Sequence, residues 1–154
     1  MTKRIAIGAD HAGFVLKEKL KAYLVEKGYR VKDVGTYSEE SCDYPRYAAQ
    51  VASEVSQKKY PLGLLICKTG IGNSIVANRF PGVRASLCYN VLAARLTRED
   101  NDSNILVLGS GFVDTRKARR ICEVWLTTKF QGGRHQRRVN EITGIEKELA
   151  CQKR

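Results

Sequence analysis

The stretch LGLLICKTGIGNS at residues 62–74 decides how this chain folds. Its first six residues are apolar or glycine without a break, as a strand covered on both faces must be. A glycine-bearing loop follows, KTGIGNS, and leads into a short helix predicted from Ser74 to Arg79. The same strand, turn and helix recur on either side. Upstream, RIAIGAD (4–10) reads as a strand, and Phe14, Leu16, Leu20, Tyr23 and Leu24 fall at helical spacing up to a stop at Gly28. YRVKDVG (29–35) is the next strand, and Tyr44, Tyr47, Ala48, Val51, Ala52 and Val55 make one helical face. Downstream, VRASLC (83–88) reads as a buried strand, Leu92, Ala93 and Leu96 as a helix, and NILVLG (104–109) as a fifth strand. A last helical stripe, Ala118, Ile121, Cys122, Trp125 and Leu126, begins at Asp114 as N-cap. Five βα units predict an α/β fold, a five-stranded parallel sheet with helices on both faces.

The tail differs. From Gln131 onward a glycine pair precedes a basic, helix-compatible segment with a thin apolar stripe at Val139, Ile142 and Ile145 and no strand to pair with. Residues 130–154 are therefore predicted to form a helical arm that packs on a second subunit. The whole chain, 154 residues with 43% hydrophobic content, is expected to close one core as a single domain over 1–154.

Composition narrows the function. The five cysteines (Cys42, Cys67, Cys88, Cys122, Cys151) are odd in number and scattered, with no CxxC or Cys/His spacing, so neither a disulfide framework nor a zinc site is expected. They read as reduced thiols of a cytoplasmic protein. No apolar stretch reaches the ~18 residues of a membrane helix, so no membrane partner is expected. The net charge is +11, and between Arg116 and Arg154 eleven basic residues face four acidic ones. Such a field attracts polyanions and small phosphorylated metabolites alike. The basic residues carry no interleaved aromatic platform and no recognition motif, so nucleic acid is not expected as a partner.

In a doubly wound sheet, ligands bind beyond the carboxyl ends of the strands. That rule singles out Gly8 to Gly13, Asp43-Tyr44-Pro45, Cys67 to Ser74 and Asn101-Asp102. The first is not a GxGxxG and the third is not a Walker A loop, since no GK[ST] follows its glycines. Cys67 stands out because it tops the central strand just before the glycine-bearing loop. Backbone N–H groups and a helix N-terminus there stabilise an anion, the setting in which reactive thiols are found. The other four cysteines lack that setting and read as structural. His11 follows the first strand, and Arg134 and Arg138, four residues apart on a predicted helix, share a face that suits a phosphate.

These residues together resemble the ribose-5-phosphate isomerase B and galactose-6-phosphate isomerase family of aldose–ketose isomerases. The matching pieces are GADHAG at 8–13, DVGTYS at 33–38, DYP at 43–45, LLICKTGIGNSIVANR at 64–79, RLTREDNDSNILVLGS at 95–110 and GGRHQRRV at 132–139. The resemblance implies a Rossmann-like fold, a homodimer or homotetramer with active sites built across the subunit interface, and no metal or organic cofactor. It implies a phosphorylated sugar as substrate, ribose 5-phosphate interconverting with ribulose 5-phosphate in the pentose phosphate pathway. Cys67 would be the base that removes the proton beside the carbonyl, and Thr69, with N–H groups of the Gly70, Gly72, Asn73 and Ser74 loop, would stabilise the enediolate. Asp10, Asp43 and Asn101 would hold sugar hydroxyls, Tyr44 would line the pocket, and His11, Arg134 and Arg138 would bind the phosphate.

Three positions depart from the family's pattern. Its ring-opening histidine is Asp100 here, the glycine after its cysteine is Lys68, and the arginine after Gly-Ser in the fifth-strand turn is Gly111. A carboxylic acid is ordinarily ionised at neutral pH, so Asp100 would accept a proton well and donate one poorly. Lys68 is expected to supply a phosphate charge that Gly111 lacks, to favour the thiolate of Cys67, or to block the pocket, since the family's glycine suggests close approach of a ligand or backbone. An isomerase of allose or galactose 6-phosphate stays open within the same fold, and the departures keep open a catalytically impaired sugar-phosphate binder.

Overall fold

A computed structural model describes residues 3–152. Two of the basic residues counted in the tail, Lys153 and Arg154, and the extreme ends of the expected domain lie outside that range. The chain runs β1 (Arg4–Ala9), α1 (Phe14–Glu26), β2 (Arg30–Asp33), α2 (Tyr44–Ser56), β3 (Leu62–Cys67), α3 (Ile71–Ala77), β4 (Ala85–Leu87), α4 (Val91–Asn101), β5 (Ile105–Gly109), α5 (Thr115–Thr127) and α6 (Arg134–Gln152). The strands form one parallel sheet in the order β2-β1-β3-β5-β4. No helix of the described residues is long and apolar enough to cross a membrane.

Alternation explains why the central strands are apolar throughout. Leu64 and Ile66 of β3 point to one face, with Ile5, Ile7, Leu106 and Leu108, under α1, α4 and α5. Leu65 points to the other, with Ala6, Ile105 and Val107, under α2 and α3. Each such side chain contributes roughly 1.5–3 kcal/mol when fully buried. Trp125 completes the first layer, its indole N–H donating to Ser103 Oγ at 2.7 Å in an otherwise apolar setting.

Three expectations need correction. Helix α3 starts at Ile71 rather than Ser74, because Gly70, at φ +81, turns the loop directly into it. Strand β4 spans only three residues and is half-buried rather than buried, since it lies at the sheet edge and pairs with β5 alone. On α4 the inward residue is Ala94, whereas Leu92 and Leu96 are exposed.

One charged group lies wholly inside. Lys17 of α1 is fully buried, and its ammonium meets Asp33 Oδ2 at 2.6 Å and Glu18 Oε1 at 2.7 Å. A buried ammonium persists only when paired in this way. The pairing ties α1 to the carboxyl end of β2, where Asp33 Oδ1 accepts the Gly35 N–H at 2.9 Å. Gly35 and Thr36 in turn exchange hydrogen bonds with Ala9, the residue before Asp10.

Candidate functional site

Strand register brings the first group together. Ala9 pairs with Ile66 and Cys67 pairs with Gly109, so Asp10, Cys67 and Ser110 emerge side by side at the carboxyl edge of the sheet. Asp10 is buried, and its Oδ1 accepts the Gly13 N–H at 3.0 Å, which turns the chain into α1. His11 Nδ1 lies 3.1 Å from the backbone nitrogen and 3.2 Å from the carbonyl oxygen of Cys42, so the ring is held against the loop before α2. That loop carries Asp43, the exposed residue before α2, whose carboxylate makes no capping bond to the helix. It also carries Tyr44, whose ring lies against Gly72; a Cβ at Gly72 would fall 2.4 Å from Tyr44 Cζ, so only glycine permits this contact.

Cys67 is 4% exposed, and its Sγ accepts the Gly70 N–H at 3.1 Å. The rest of the loop N–H groups sort themselves. Ile71 N–H donates to Thr69 Oγ1 at 3.2 Å, and Ser74 N–H donates to the Gly70 carbonyl at 3.0 Å while its hydroxyl donates to the Ile71 carbonyl. Among the described residues the N–H groups of Lys68, Thr69, Gly72 and Asn73 have no backbone acceptor, so Gly72 and Asn73 are among the donors the loop can offer to an oxyanion. The Asn73 amide is 1% exposed and makes no hydrogen bond within the chain. Lys68, exposed, follows Cys67 and lies against Gly111.

The second group lies at the opposite edge. Asp100 and Asn101 end α4 and precede β5, so they sit at the amino ends of the strands, not after a strand as the sequence rule placed Asn101. Arg84, at the start of β4, confirms the position by donating to the Asn101 carbonyl at 2.9 Å. Asp100 Oδ1 lies 3.4 Å from Nε2 of His135, which is buried, and Arg134 Nε lies 3.4 Å from the same nitrogen. Arg134 and Arg138 are exposed along the first turns of α6. Within one chain, then, Asp10, His11, Asp43, Tyr44, Cys67, Lys68, Thr69 and the loop come together, while Asp100, Asn101, Arg134 and Arg138 form a separate cluster. The arm packs on its own chain through His135 and Val139 and through Glu146, which accepts the Gly82 N–H. Its Ile142, Ile145 and Leu149 stay about half exposed.

Two residues of the first group escaped the sequence. Cys42, read as structural, touches His11 at Sγ–Nδ1 4.0 Å. Tyr89, which follows β4, donates its hydroxyl to the Thr69 carbonyl at 2.9 Å and packs on Phe112 at 5.1 Å. The strand-end rule applied after β4 would have found Tyr89. Cys88 and Cys122 match their structural reading, burial pushing their thiols up to about 11 and about 12. Among the described residues no group of three or more His, Cys, Asp or Glu side chains is placed to hold a metal ion.

The chain is similar to known proteins over almost its full length. The family described as Ribose/Galactose Isomerase matches residues 5–142. Ribose-5-phosphate isomerase B of Escherichia coli is 49% identical over 144 residues, which are 94% of this chain and 97% of that protein. The solved structure of Clostridium thermocellum ribose-5-phosphate isomerase B superposes with a TM-score of 0.93 at 46% identity, covering 95% of this chain and 99% of that one. That of Mycoplasma genitalium ribose-5-phosphate isomerase B with bound ribulose 5-phosphate gives 0.92 at 39% identity, covering 96% and 99%.

Proposed function

The chain belongs to the ribose/galactose isomerase family and is an aldose–ketose isomerase of type B; from that premise we propose that it interconverts ribose 5-phosphate and ribulose 5-phosphate with Cys67 as base. The thiolate takes the proton from C2 of the open-chain aldose, and the electron pair moves into an enediolate. The same proton returns to C1, while the O2 hydroxyl proton passes to O1. Negative charge develops on oxygen during the first step, so donors fixed in advance lower the barrier. Thr69 and the unengaged N–H groups of Gly72 and Asn73 are assigned that role. Asp10 and Asp43 hold sugar hydroxyls beside Tyr44, and His11 and Lys68 lie toward the phosphate.

The observation that carries the reading is the Gly70 N–H donated to Cys67 Sγ at the top of the central strand, which fixes the sulfur beside the loop donors where the substrate would lie. Asp100, Asn101, Arg134 and Arg138 belong to the same chemistry only if a second copy supplies them, so the active enzyme is a homodimer or homotetramer with interfacial sites. In that assembly Asp100 faces the ring oxygen, Asn101 a hydroxyl, and the two arginines the phosphate. No cofactor enters the scheme.

Incubation of the purified protein with ribose 5-phosphate, following ketose formation, tests it. Wild-type turnover is expected, with a loss of about 10²-fold or more in Cys67→Ala, the scale of a positioned proton-transfer group, while sugar-phosphate binding survives. Activity above a few per cent in Cys67→Ala would assign the proton to another base. Faster turnover of allose or galactose 6-phosphate in the same assay would move the substrate to six carbons.

A further inference from the structure

The two glycine-related departures in the sequence, Lys68 and Gly111, touch each other. The Gly111 N–H donates to the Lys68 carbonyl at 2.9 Å, which brings the turn after β5 onto the loop after β3. A Cβ built on Gly111 would stand 3.0 Å from that carbonyl, 3.2 Å from Lys68 Cε and 3.4 Å from Cδ. The lysine stem therefore runs across the face of Gly111, through the space that any side chain at 111 would claim. A side chain at 111 would press the lysine stem aside by a few tenths of an ångström.

The ammonium end is uncompensated. Among the described residues no carboxylate lies within salt-bridge distance of Lys68. The carboxylate of the adjoining groove, Asp114, accepts the Lys117 N–H at 2.7 Å as the cap of α5. That groove is bounded by Ala12 and Ser110, joined by a hydrogen bond of 2.8 Å, and Ala12 directly follows His11. An exposed cation laid along a glycine and unpaired, in a groove whose Ala12 wall follows His11 in the chain, is suited to an anionic group. We propose that Lys68 is the phosphate-reading residue of this loop pair, its placement made possible by Gly111, and that it sets the preference for phosphorylated over neutral sugars. The proposal rests on the isomerase reading of the Cys67 site. Lys68 also adjoins Cys67, and a lysine acting on the base would change the chemical step rather than phosphate affinity.

Steady-state kinetics with ribose 5-phosphate, together with calorimetric binding of inorganic phosphate, separate these outcomes. Lys68→Met is expected to raise KM and to weaken phosphate binding in parallel by about tenfold, the scale of one hydrogen bond to a charged group, with a smaller effect on kcat. Lys68→Arg should keep most of the phosphate affinity. Gly111→Arg alone should crowd the lysine and weaken binding, and Lys68→Gly combined with Gly111→Arg should recover what either change loses. Unchanged phosphate affinity in folded Lys68→Met overturns the proposal. So does a fall in kcat with a displaced pH profile at constant KM, or simple additivity in the double variant. A wild type that binds phosphate through Lys68 but does not turn over ribose 5-phosphate would instead overturn the isomerase reading alone.

Discussion

Asp100 is where the chemistry and the sequence disagree most. Opening a furanose ring calls for one group that takes the hydroxyl proton and returns it to the ring oxygen, and a group titrating near neutrality does both best. A carboxylate does the first only, and this one already faces His135 at 3.4 Å. Asp100→His should therefore raise the initial rate measured from the cyclic sugar by about tenfold or more, since general acid catalysis is worth at least that. An unchanged rate would mean that ring opening is served by water or by another side chain. At this scale much of the candidate site was readable in advance. Asp10, His11 and Thr69 follow strands and Cys67 ends one, and a strand-end residue announces itself by its neighbours in the chain. Cys42 did not, because its place depends on a partner 31 residues away, whereas Tyr89, just after β4, falls under the same strand-end rule. The Asn73 amide likewise gave no sign that burial would leave it without a hydrogen-bond partner.

Elements were read from periodicity, and periodicity fails where a single backbone conformation or a single ion decides. The alternation of Leu64, Leu65 and Ile66 between two apolar layers made β3 unmistakable. The start of α3 depended on one positive φ at Gly70, which composition does not encode. Lys17 sits in the run KEKLK, which reads as a solvated helix face, yet it is fully buried against Asp33. Burial alone would raise the Asp33 carboxyl, but hydrogen bonds from Lys17, Lys21 and the Gly35 N–H outweigh it and hold it below its ordinary value. A carboxyl lowered by folding stabilises the native state fully above the unfolded-chain value, about 3.9. That stabilisation is lost as pH falls from there through the lowered native value. Acid unfolding followed by circular dichroism should show this loss in the wild type, and Asp33→Asn should be less stable at pH 7 by about 3 kcal/mol, with a shallower decline below pH ~4. Equal acid profiles would remove Asp33 from the account. Because the Asp33 to Gly35 turn holds Ala9, the same variant should also loosen the entry to Asp10 and raise KM.

For the whole molecule, the decisive fact is that one chain carries its two candidate clusters at opposite edges of a single sheet. Parallel strands place Asp10, His11 and Cys67 at one edge, and the end of α4 with the start of α6 places Asp100, Asn101, Arg134 and Arg138 at the other. A rigid five-stranded sheet cannot bring these edges together, so under the proposed function a common site requires a second copy, whose α6 edge would meet the Cys67 edge of the first. The sequence pointed to an arm, through its glycine pair and thin apolar stripe. The separation itself required the topology, because Asn101 looks like a strand-end residue until β5 is seen to begin after it. Subunit mixing tests the arrangement directly. Cys67→Ala and the double variant Arg134→Ala/Arg138→Ala should each be nearly inactive alone. When the two are unfolded together and refolded, a mixed dimer contains one site with every defect and one with none. Random pairing makes half of the dimers mixed, so activity should return to about a quarter of the wild-type value. Sites contained within single chains would give no recovery, since every chain in the mixture carries a defect of its own.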